Sequence, residues 1–262
     1  FEKILYMPIS SGLSGSYETA MMLAKDEAYE GRVLVVDDGQ VAAPLHQMVL
    51  DTLDMIKKGY EAEQIRDLLE RAGDRMMIYI ALQTLVNPGD EIILPRNVHQ
   101  SVINALVLCG ATPVYINPQS DKNLGIALGM SLSDVRATME RHPGAKAILI
   151  NNPTYYGICS DLKSITEAAH QKGMRVLVDE AHGTHFYFGR NMPISAMAAG
   201  ADMAAVSMHK SGGSLTQSSV LLCGKNVNPH YVRQIINLTQ TTSGSYLLLS
   251  SLDISRRNLG IL

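Results

Sequence analysis

A lysine with serine and histidine neighbours is the first candidate for chemistry in this chain. The segment "SMHKSGGSLTQSSV", residues 207–220, places Ser207, His209 and Lys210 directly after the apolar run "MAAV". A lysine amine can form a Schiff base with a carbonyl group, and hydroxyl or imidazole groups beside it can bind a phosphate. The pair Gly212–Gly213 would let the backbone pass close to a ligand. A lone lysine is nearly always a surface charge, so other residues must support this interpretation.

Two further apolar runs also end in polar residues. "RVLV" continues into "DEAH", residues 179–182, and "AILI" continues into "NNPTYY", residues 151–156. In open α/β sheets ligands bind beyond the carboxyl ends of the strands, so these residues and Lys210 would meet in one crevice. A carboxylate such as Asp179 can keep the ring nitrogen of a pyridine cofactor protonated and so make the ring an electron sink. The three strand ends together therefore indicate a pyridine cofactor.

Each of these residues also has a simpler interpretation. An acidic residue after an apolar strand, such as Asp179, is often only a helix cap or a turn residue. His182 and His185 could bind a metal ion together with Asp179, but their spacing matches no strong zinc motif, and no metal site is predicted. His99, in "PRNVHQS", is on its own best interpreted as a loop residue. Only the combination of Lys210 with the other strand ends favours a cofactor.

The elements that must position these residues alternate between strands and helices. Strands are predicted at "EIILP", "TPVYIN", "AKAILINN", "RVLVDE" and "ADMAAVSMH", and helices at "HQSVINALVLCG", "SLSDVRATMERHPG" and "SDLKSITEAAHQKG". "MMIYIA" predicts a further strand and "PISAMAAG" a short helix. Such alternation is typical of an α/β protein whose predominantly parallel sheet carries helices on both faces.

Length and composition favour a globular protein that acts on a small molecule. Of the 262 residues, 46% are hydrophobic and 18% are charged, and the net charge is −3, so neither nucleic acid nor an anionic membrane is an expected partner. The apolar runs are too short to span a bilayer, and the opening "FEKILYMPIS" lacks a signal-peptide pattern. The three cysteines are widely spaced and indicate no disulfide framework. We therefore expect a cytoplasmic protein.

From about residue 86 to residue 262 the chain resembles the Orn/Lys/Arg decarboxylases, which are pyridoxal-phosphate enzymes with the aspartate aminotransferase-like fold. The resemblance lies in "NPGDEIILPRNVHQSVINALVLCGATPVYI", "NNPTYYGICSDLKSI", "VLVDEAHGTHF" and "SMHKSGGSLTQSSV". It implies decarboxylation of lysine, arginine or ornithine by a homo-oligomer, a dimer whose interface forms the site. The residues do not identify the substrate side chain, and aminotransferase or lyase chemistry stays open because this fold supports several bond cleavages.

The resemblance also implies a role for each matching residue. Lys210 would form the Schiff base with pyridoxal 5'-phosphate, Asp179 would pair with the pyridine nitrogen, and His99 would stack on the ring. These three are the predicted catalytic residues, and His99 is no longer interpreted as a simple loop residue. The other predicted cofactor contacts are Ala181 beneath the ring, His182 near its edge, and Ser207 and His209 at the phosphate.

Residues 1 to about 85 resemble a different family, the DegV family of fatty-acid-binding proteins. The resemblance lies in "MPISSGLSGSYETAMMLAKDE" and in the segment from "RVLVVDDGQ" to "MMIYIALQTL". In that family the serine-rich turn lies near the lipid carboxylate, which implies that Ser10, Ser11 and Ser14 would bind an anion at the start of the following helix. A serine–glycine turn that merely caps this helix is the alternative interpretation.

Each resemblance covers only part of its family. We expect a partial DegV-like segment over residues 1–85 and a decarboxylase-like large domain over residues 86–262. The second segment lacks the Gly-Thr-Thr phosphate loop that normally precedes the His99 motif, and the smaller C-terminal domain. Three functions therefore stay open: a decarboxylase, which Lys210, Asp179 and His99 favour, a catalytically incompetent hybrid or truncated chain, and a fatty-acid-binding protein.

Overall fold

The computed structural model describes residues 2–8, 15–36, 49, 52–70, 76–215, 218–240 and 244–261. The chain divides into two compact units. The first unit comprises Phe1–Asp74 and Ile236–Leu249, and the second comprises Arg75–Ile235 and Ser250–Leu262. The domain boundary that the sequence predicts near residue 85 stays a prediction.

The first unit contains a small parallel sheet of two strands. Strand β1 (Ile4–Tyr6) pairs with β2 (Val33–Val35), and helix α1 (Ser16–Leu23) lies between them in the chain. Two further helices follow, α2 over residues 52–57 and α3 (Ala62–Glu70). The small core of this unit is built from Val36 and Ile65, with Leu5, Met7 and Met55 packed against them.

The second unit is built on a six-stranded sheet with the strand order β10-β9-β8-β7-β3-β4. Its strands are β3 (Glu91–Pro95), β4 (Thr112–Ile116), β7 (Ala147–Asn151), β8 (Arg175–Asp179), β9 (Met203–Ser207) and β10 (Ser219–Cys223). Strand β10 pairs antiparallel with β9, and the other neighbours run parallel. Strands β5 (Ser120–Asp121) and β6 (Ile126–Ala127) form a separate antiparallel pair. The predicted α/β class with a predominantly parallel sheet is confirmed.

The central strands are the apolar runs that the sequence identified. In β7, β8 and β9 the run is buried up to the strand's last residues. A strand of a parallel sheet is covered on both faces, so its side chains are apolar without alternation. Because each run stops at a polar residue, the strand ends are also where polar side chains collect.

Helices connect these strands, and side chains cap several of them. The helices are α4 (Met76–Leu85), α5 (Gln100–Cys109), α6 (Leu132–Arg141), α7 (Leu162–Gln171), α8 (Pro229–Thr239) and α9 (Tyr246–Leu259). Ser131 accepts a hydrogen bond from the Asp134 N–H at the start of α6, and Asp161 accepts one from the Ser164 N–H at the start of α7. Such caps satisfy backbone donors that have no partner within the helix.

Two predicted elements were wrong. The run "MMIYIA" belongs to helix α4, which packs against α5 and against strands β8, β9 and β10. A short apolar run has the composition of a buried strand and of a buried helix alike, so its periodicity does not distinguish them. The segment "PISAMAAG", predicted as a short helix, forms a series of turns over residues 196–200. A single turn gains too few hydrogen bonds to nucleate a regular helix.

Candidate active site

Strands β7, β8 and β9 end side by side at one edge of the sheet. Asn151 pairs in register with Asp179, and Asp179 pairs with Ala205, two residues before the end of β9. The Glu180 N–H extends this ladder by donating to the Ala205 carbonyl at 2.9 Å. The residues that follow the three strands therefore lie together at the carboxyl edge, where ligands bind in sheets of this kind.

Asp179 is a buried carboxylate at the end of β8. The residue is only 6% exposed to solvent. Its Oδ1 accepts a hydrogen bond from the Ala181 N–H at 3.2 Å. Ala181, which is half-buried, is thereby held close to this carboxylate. Burying a charge is costly unless a charged or hydrogen-bonding partner compensates it. A protonated ring nitrogen of a bound cofactor is a partner of that kind.

Lys210 lies in a tight loop that follows β9. Its N–H donates to the Ser207 carbonyl at 3.2 Å, and the Ser214 N–H donates to the Met208 carbonyl at 3.3 Å. Gly212 is required there, because a Cβ atom would lie only 2.5 Å from the Met208 carbonyl oxygen. Lys210 itself is half-buried, and within the described ranges its amine has neither a hydrogen bond nor an ion pair.

His182 lies within electrostatic range of both Lys210 and His99. Burial holds the pKa of His182 below its usual range, and electrostatic effects of Lys210 and His99 are smaller causes of the same shift. The ring of His182 meets that of Tyr155 edge-on, with 5.5 Å between the centroids. The structure thus brings the predicted histidines and the lysine into one neighbourhood.

His99 is the N-cap of helix α5. Its Nδ1 accepts a hydrogen bond from the Ser101 N–H at 3.2 Å and lies 2.8 Å from the Ser101 Oγ. When Nδ1 accepts in this way, a neutral ring carries its proton on Nε2. The cap therefore fixes the orientation of an imidazole that is otherwise exposed. The simpler interpretation of His99 as a loop residue and the cofactor interpretation are both compatible with this position.

Ser207 and His209 stand on either side of Met208 at the start of the same loop. The buried Ser207 accepts a hydrogen bond from the Thr184 Oγ1 at its carbonyl, at 3.2 Å. The His209 Nδ1 lies 3.0 Å from the Ser218 carbonyl oxygen, which only accepts hydrogen bonds, so Nδ1 carries a proton. Both residues lie at the predicted edge, and their contact with a phosphate stays a prediction.

Three residues to which the sequence assigned no role add polar atoms near this edge. The side-chain amide of Asn152 is buried, and the backbone N–H of Ser160 donates to its Oδ1 at 2.8 Å, while its Nδ2 has no hydrogen-bond partner among the described residues. In the same part of the chain, the hydroxyls of Ser214 and Ser218 are also buried without a partner. A buried polar atom without a partner costs free energy, which a bound ligand can recover. The sequence signal that could have identified them is their position, since Asn152 follows strand β7 and the two serines follow Lys210.

This set of residues fits pyridoxal phosphate. The cofactor needs an amine, a carboxylate for its ring nitrogen, and donors for its phosphate and its ring oxygen. The edge offers the Lys210 amine, the buried Asp179 carboxylate and the unpaired Asn152 amide. Two unpaired hydroxyls, at Ser214 and Ser218, lie in the loop after the lysine. Each chemical requirement therefore has a residue of the right type at the right edge of the sheet.

Glu180, directly after Asp179, is the most deeply buried carboxyl group of this region. The Ala196 N–H donates to its Oε1 at 2.9 Å, and the Tyr187 hydroxyl donates to its Oε2. Burial raises the pKa of Glu180 to about 7, against the opposing effect of these two hydrogen bonds. The carboxyl group joins β8 to two later segments and so fixes the turn that carries Ala181 and His182.

The residues proposed for a lipid carboxylate, Ser10, Ser11 and Ser14, lie outside the described residues. The first unit does contain an apolar cavity of about 350 Å³, whose walls include Leu5, Leu53 and Ile56. In the described ranges, no group of three His, Cys, Asp or Glu residues could hold a metal ion. No helix among the same residues is both long and apolar enough to cross a membrane.

Comparison with known families gives matches to both resemblances. The family model "Orn/Lys/Arg decarboxylase, major domain" matches residues 50–261. The model of the DegV family, described as uncharacterised, matches residues 1–87. The two matches overlap over residues 50–87, the stretch that ends with helix α4.

Curated relatives and solved structures agree with the first match. An arginine decarboxylase of Bacillus subtilis is 50% identical over 184 residues, which are 68% of this chain and 38% of that protein. One of Halalkalibacterium halodurans is 45% identical over 215 residues, 82% of this chain and 43% of that protein. The lysine decarboxylase LdcF of Francisella novicida shares the fold, with a TM-score of 0.62 at 22% identity, over 70% of this chain and 27% of that one. The chain thus spans less than half the length of these relatives.

Proposed function

The chain belongs to the Orn/Lys/Arg decarboxylase family by its major domain, and we propose that it removes the α-carboxylate of a basic amino acid with pyridoxal phosphate bound at Lys210. The observation that carries this proposal is the meeting of Lys210, Asp179 and the unpaired Asn152 amide at one sheet edge. Arginine is the substrate we favour among the three, because the curated relatives at 45–50% identity are arginine decarboxylases.

Each residue of the edge has a part in this reaction. When bound, pyridoxal phosphate supplies a ring that accepts the electron pair left behind as CO₂ departs. The Lys210 amine would attach the cofactor, and the buried Asp179 carboxylate would hold a proton at the ring nitrogen. His99, oriented by the Ser101 N–H, would cover one face of the ring and exclude water from it.

The remaining donors would hold the cofactor's oxygen atoms. The Asn152 Nδ2 would donate to a ring oxygen, since its Oδ1 is already occupied by the Ser160 N–H. The hydroxyls of Ser207, Ser214 and Ser218 would donate to the phosphate, and His209 would donate its Nε2–H as an imidazolium, since its Nδ1–H already faces the Ser218 carbonyl. Hydrogen bonds to a charged group are each worth about 1.5–3 kcal/mol, so a few such donors can replace a dedicated phosphate loop.

The test is release of CO₂ from arginine, lysine and ornithine by the purified chain with added pyridoxal phosphate. We expect release from at least one of them and its loss in Lys210→Ala. Lys225→Ala, which removes an exposed lysine in the turn after β10, is the matched control and should retain activity. Absence of release from all three substrates would contradict the proposal and favour a catalytically incompetent hybrid. Equal activity of Lys210→Ala and the control would also contradict it.

Homodimerisation belongs to the same proposal, because the resemblance places family sites at a dimer interface. Tyr155 and Tyr156 are exposed at the mouth of the proposed site, and aromatic residues are enriched in protein interfaces. Sedimentation velocity measures the mass directly. A species of twice the chain mass of 28.5 kDa supports the proposal, and a monomer at micromolar concentration contradicts it.

The cavity of the first unit favours a second candidate function, binding of an apolar ligand such as a fatty acid. Its walls are largely aliphatic, and the cation at the wall is Lys3, whose amine pairs with Glu63 and would have to exchange this partner for a ligand carboxylate. Leu53→Glu would place a charge in the wall and should weaken fatty-acid binding at least roughly tenfold, because a bound apolar chain would cover this exposed position and remove the charge from water. Leu23→Glu, on an exposed part of α1, is the control. Fluorescence displacement measures both, and equal binding by the two variants would contradict this candidate.

A further inference from the structure

Helix α9 contacts the loop that follows Lys210 through two serines. The Ser251 Oγ accepts a hydrogen bond from the Leu215 N–H at 2.6 Å. The Ser255 Oγ donates to the Gly212 carbonyl at 2.5 Å. The serines are separated from the loop by 36 and 43 residues in the chain, so these bonds join the lysine loop to a distant element.

These serines lie on the face of α9 that packs inwards. Ser251 and Ser255 are four residues apart and therefore project from the same side of the helix. Leu252 packs against the main core, and Leu259 is part of it. Ser250 and the ion-paired Asp253 and Arg256 point to solvent. Two hydroxyls thus interrupt an otherwise apolar stripe at the positions that face the loop.

The loop itself supplies the reason for hydroxyls at these positions. Gly212 is buried and cannot carry a side chain, because an added Cβ would lie 2.5 Å from the Met208 carbonyl oxygen and 3.1 Å from the Thr184 Cγ2. Its carbonyl group needs a donor that comes from elsewhere, since a buried unpaired carbonyl is costly. Ser255, itself buried, is that donor. An alanine would fill the same space and leave the carbonyl unpaired.

We propose that Ser251 and Ser255 are positioning residues for Lys210, which fix the loop of residues 211–215 so that the lysine amine is held at the carboxyl edge of the sheet. The two bonds act at the second and fifth residues after the lysine, on both sides of Ser214. With the loop released, the amine would sample more orientations and react more slowly with a carbonyl group held at the edge. A role of these serines in catalysis rests on the proposed function, whereas their hydrogen bonds to the loop are independent of it.

The experiment compares Ser251→Ala and Ser255→Ala with Ser250→Ala, an exposed serine of the same helix. Hydrogen exchange of the Leu215 amide reports the first bond directly. We expect the exchange rate to rise roughly tenfold in Ser251→Ala, because the amide loses its acceptor, and to stay unchanged in Ser250→Ala. Ser251→Thr keeps a hydroxyl at this half-buried position and should restore slow exchange.

The second readout is the reactivity of the Lys210 amine as a function of pH, measured by competitive labelling with acetic anhydride and mass mapping. We expect the pH profile of Lys210 labelling to shift in Ser251→Ala and Ser255→Ala, and to match the unmodified chain in Ser250→Ala and Ser251→Thr. Neither measurement needs a cofactor, so each decides the inference even if the chain fails to bind pyridoxal phosphate.

Two results would overturn the inference. An unchanged Leu215 exchange rate in Ser251→Ala would show that the bond does not hold the loop. A raised exchange rate together with a Lys210 profile equal to that of Ser250→Ala would show that the serines support the fold without positioning the lysine. If Ser255→Ala does not fold, Ser251→Ala, at the less buried position, gives both readouts alone.

Discussion

The two edges of the central sheet each carry a buried carboxylate, but the polar groups around the two carboxylates differ. At the amino edge, Asp202 precedes β9 and accepts three hydrogen bonds, from the Arg175 Nη1, the His170 Nε2 and the Val176 N–H, each at 2.8 Å. At the carboxyl edge, Asp179 is similarly buried, 6% exposed against 2% for Asp202, but its neighbourhood includes the unpaired Asn152 amide. Lys210 there has no ion-pair partner among the described residues.

This difference distinguishes polar groups that stabilise the fold from polar groups that are available to bind a ligand. A buried polar group that is fully hydrogen-bonded stabilises a unique fold, whereas unpaired groups cost stability and persist where a ligand can bind them. The amino edge is complete as it stands. At the carboxyl edge, the Asn152 Nδ2 has no hydrogen-bond partner among the described residues, and a ligand with acceptor oxygens would supply one. Substitutions at the two edges should therefore affect different observables.

The largest expected effect is on stability, at the amino edge. Asp202→Ala removes the acceptor of three hydrogen bonds and leaves the Val176 N–H, the Arg175 guanidinium and the His170 ring without it, so the free energy of unfolding should fall by roughly 3–4 kcal/mol. Urea unfolding measures this loss. Cofactor affinity of the folded fraction should be unchanged, and a specific loss of affinity would break the distinction between the edges.

The next effect is on the pH dependence of stability, and it arises from Glu180. Burial raises its pKa to about 7 from an ordinary value of 4.5, so the folded chain holds a proton over this window that the unfolded chain releases. The free energy of unfolding should therefore fall as pH rises from 4.5 to 7, by up to about 3 kcal/mol from this group. Urea titrations across the window test the slope. Glu180→Gln should flatten it, and an unchanged slope would contradict this assignment.

A smaller effect, on binding, is expected at the carboxyl edge. Asp179→Asn keeps the size of the side chain but removes its charge, so the attraction to a protonated ring nitrogen is lost. The Kd for pyridoxal phosphate should rise roughly tenfold to a hundredfold, while urea stability changes by less than about 1 kcal/mol. Absorbance titration gives the Kd. If stability fell as far as in Asp202→Ala, then Asp179 would be structural.

The smallest effect distinguishes two unpaired hydroxyls. Ser218→Ala and Thr166→Val each remove a buried hydroxyl that has no hydrogen-bond partner in the part of the chain that the structure describes, one directly before β10 and one on α7. Both should raise the free energy of unfolding by up to about 1 kcal/mol, because a desolvated donor is removed. Only Ser218→Ala should weaken pyridoxal phosphate, roughly tenfold. Equal Kd values for the two variants would remove Ser218 from the proposed site.

The sequence predicted the central sheet because its strands are buried on both faces. The runs that became β7, β8 and β9 are continuous and apolar, and each ends in polar residues, so both the strands and the position of the site followed from pattern. The hydrophobic pattern did not distinguish a strand from a helix where the apolar run is short, as in α4. There, the contacts of α4 with β8, β9 and β10 determine the structure, and such contacts are not local in the sequence.

The site was predictable to the level of residue type and no further. Lys210 and Asp179 are unusual residues in their positions, whereas Asn152, Ser214 and Ser218 belong to common turn-forming types. Their significance comes from burial and from missing partners, which depend on tertiary packing. The contacts of Ser251 and Ser255 with the lysine loop are equally non-local, and the sequence of α9 alone gives no sign of them.

The central claim is that the carboxyl edge of the sheet holds pyridoxal phosphate on Lys210. The most direct test is to add the cofactor to the purified chain, reduce with borohydride, and map the modified peptide by mass spectrometry. Modification at Lys210, absent from Lys210→Ala and retained in Lys225→Ala, is the predicted result. Modification spread over exposed lysines, or none at all, would contradict the claim and leave the decarboxylase family as this chain's ancestry without its cofactor chemistry.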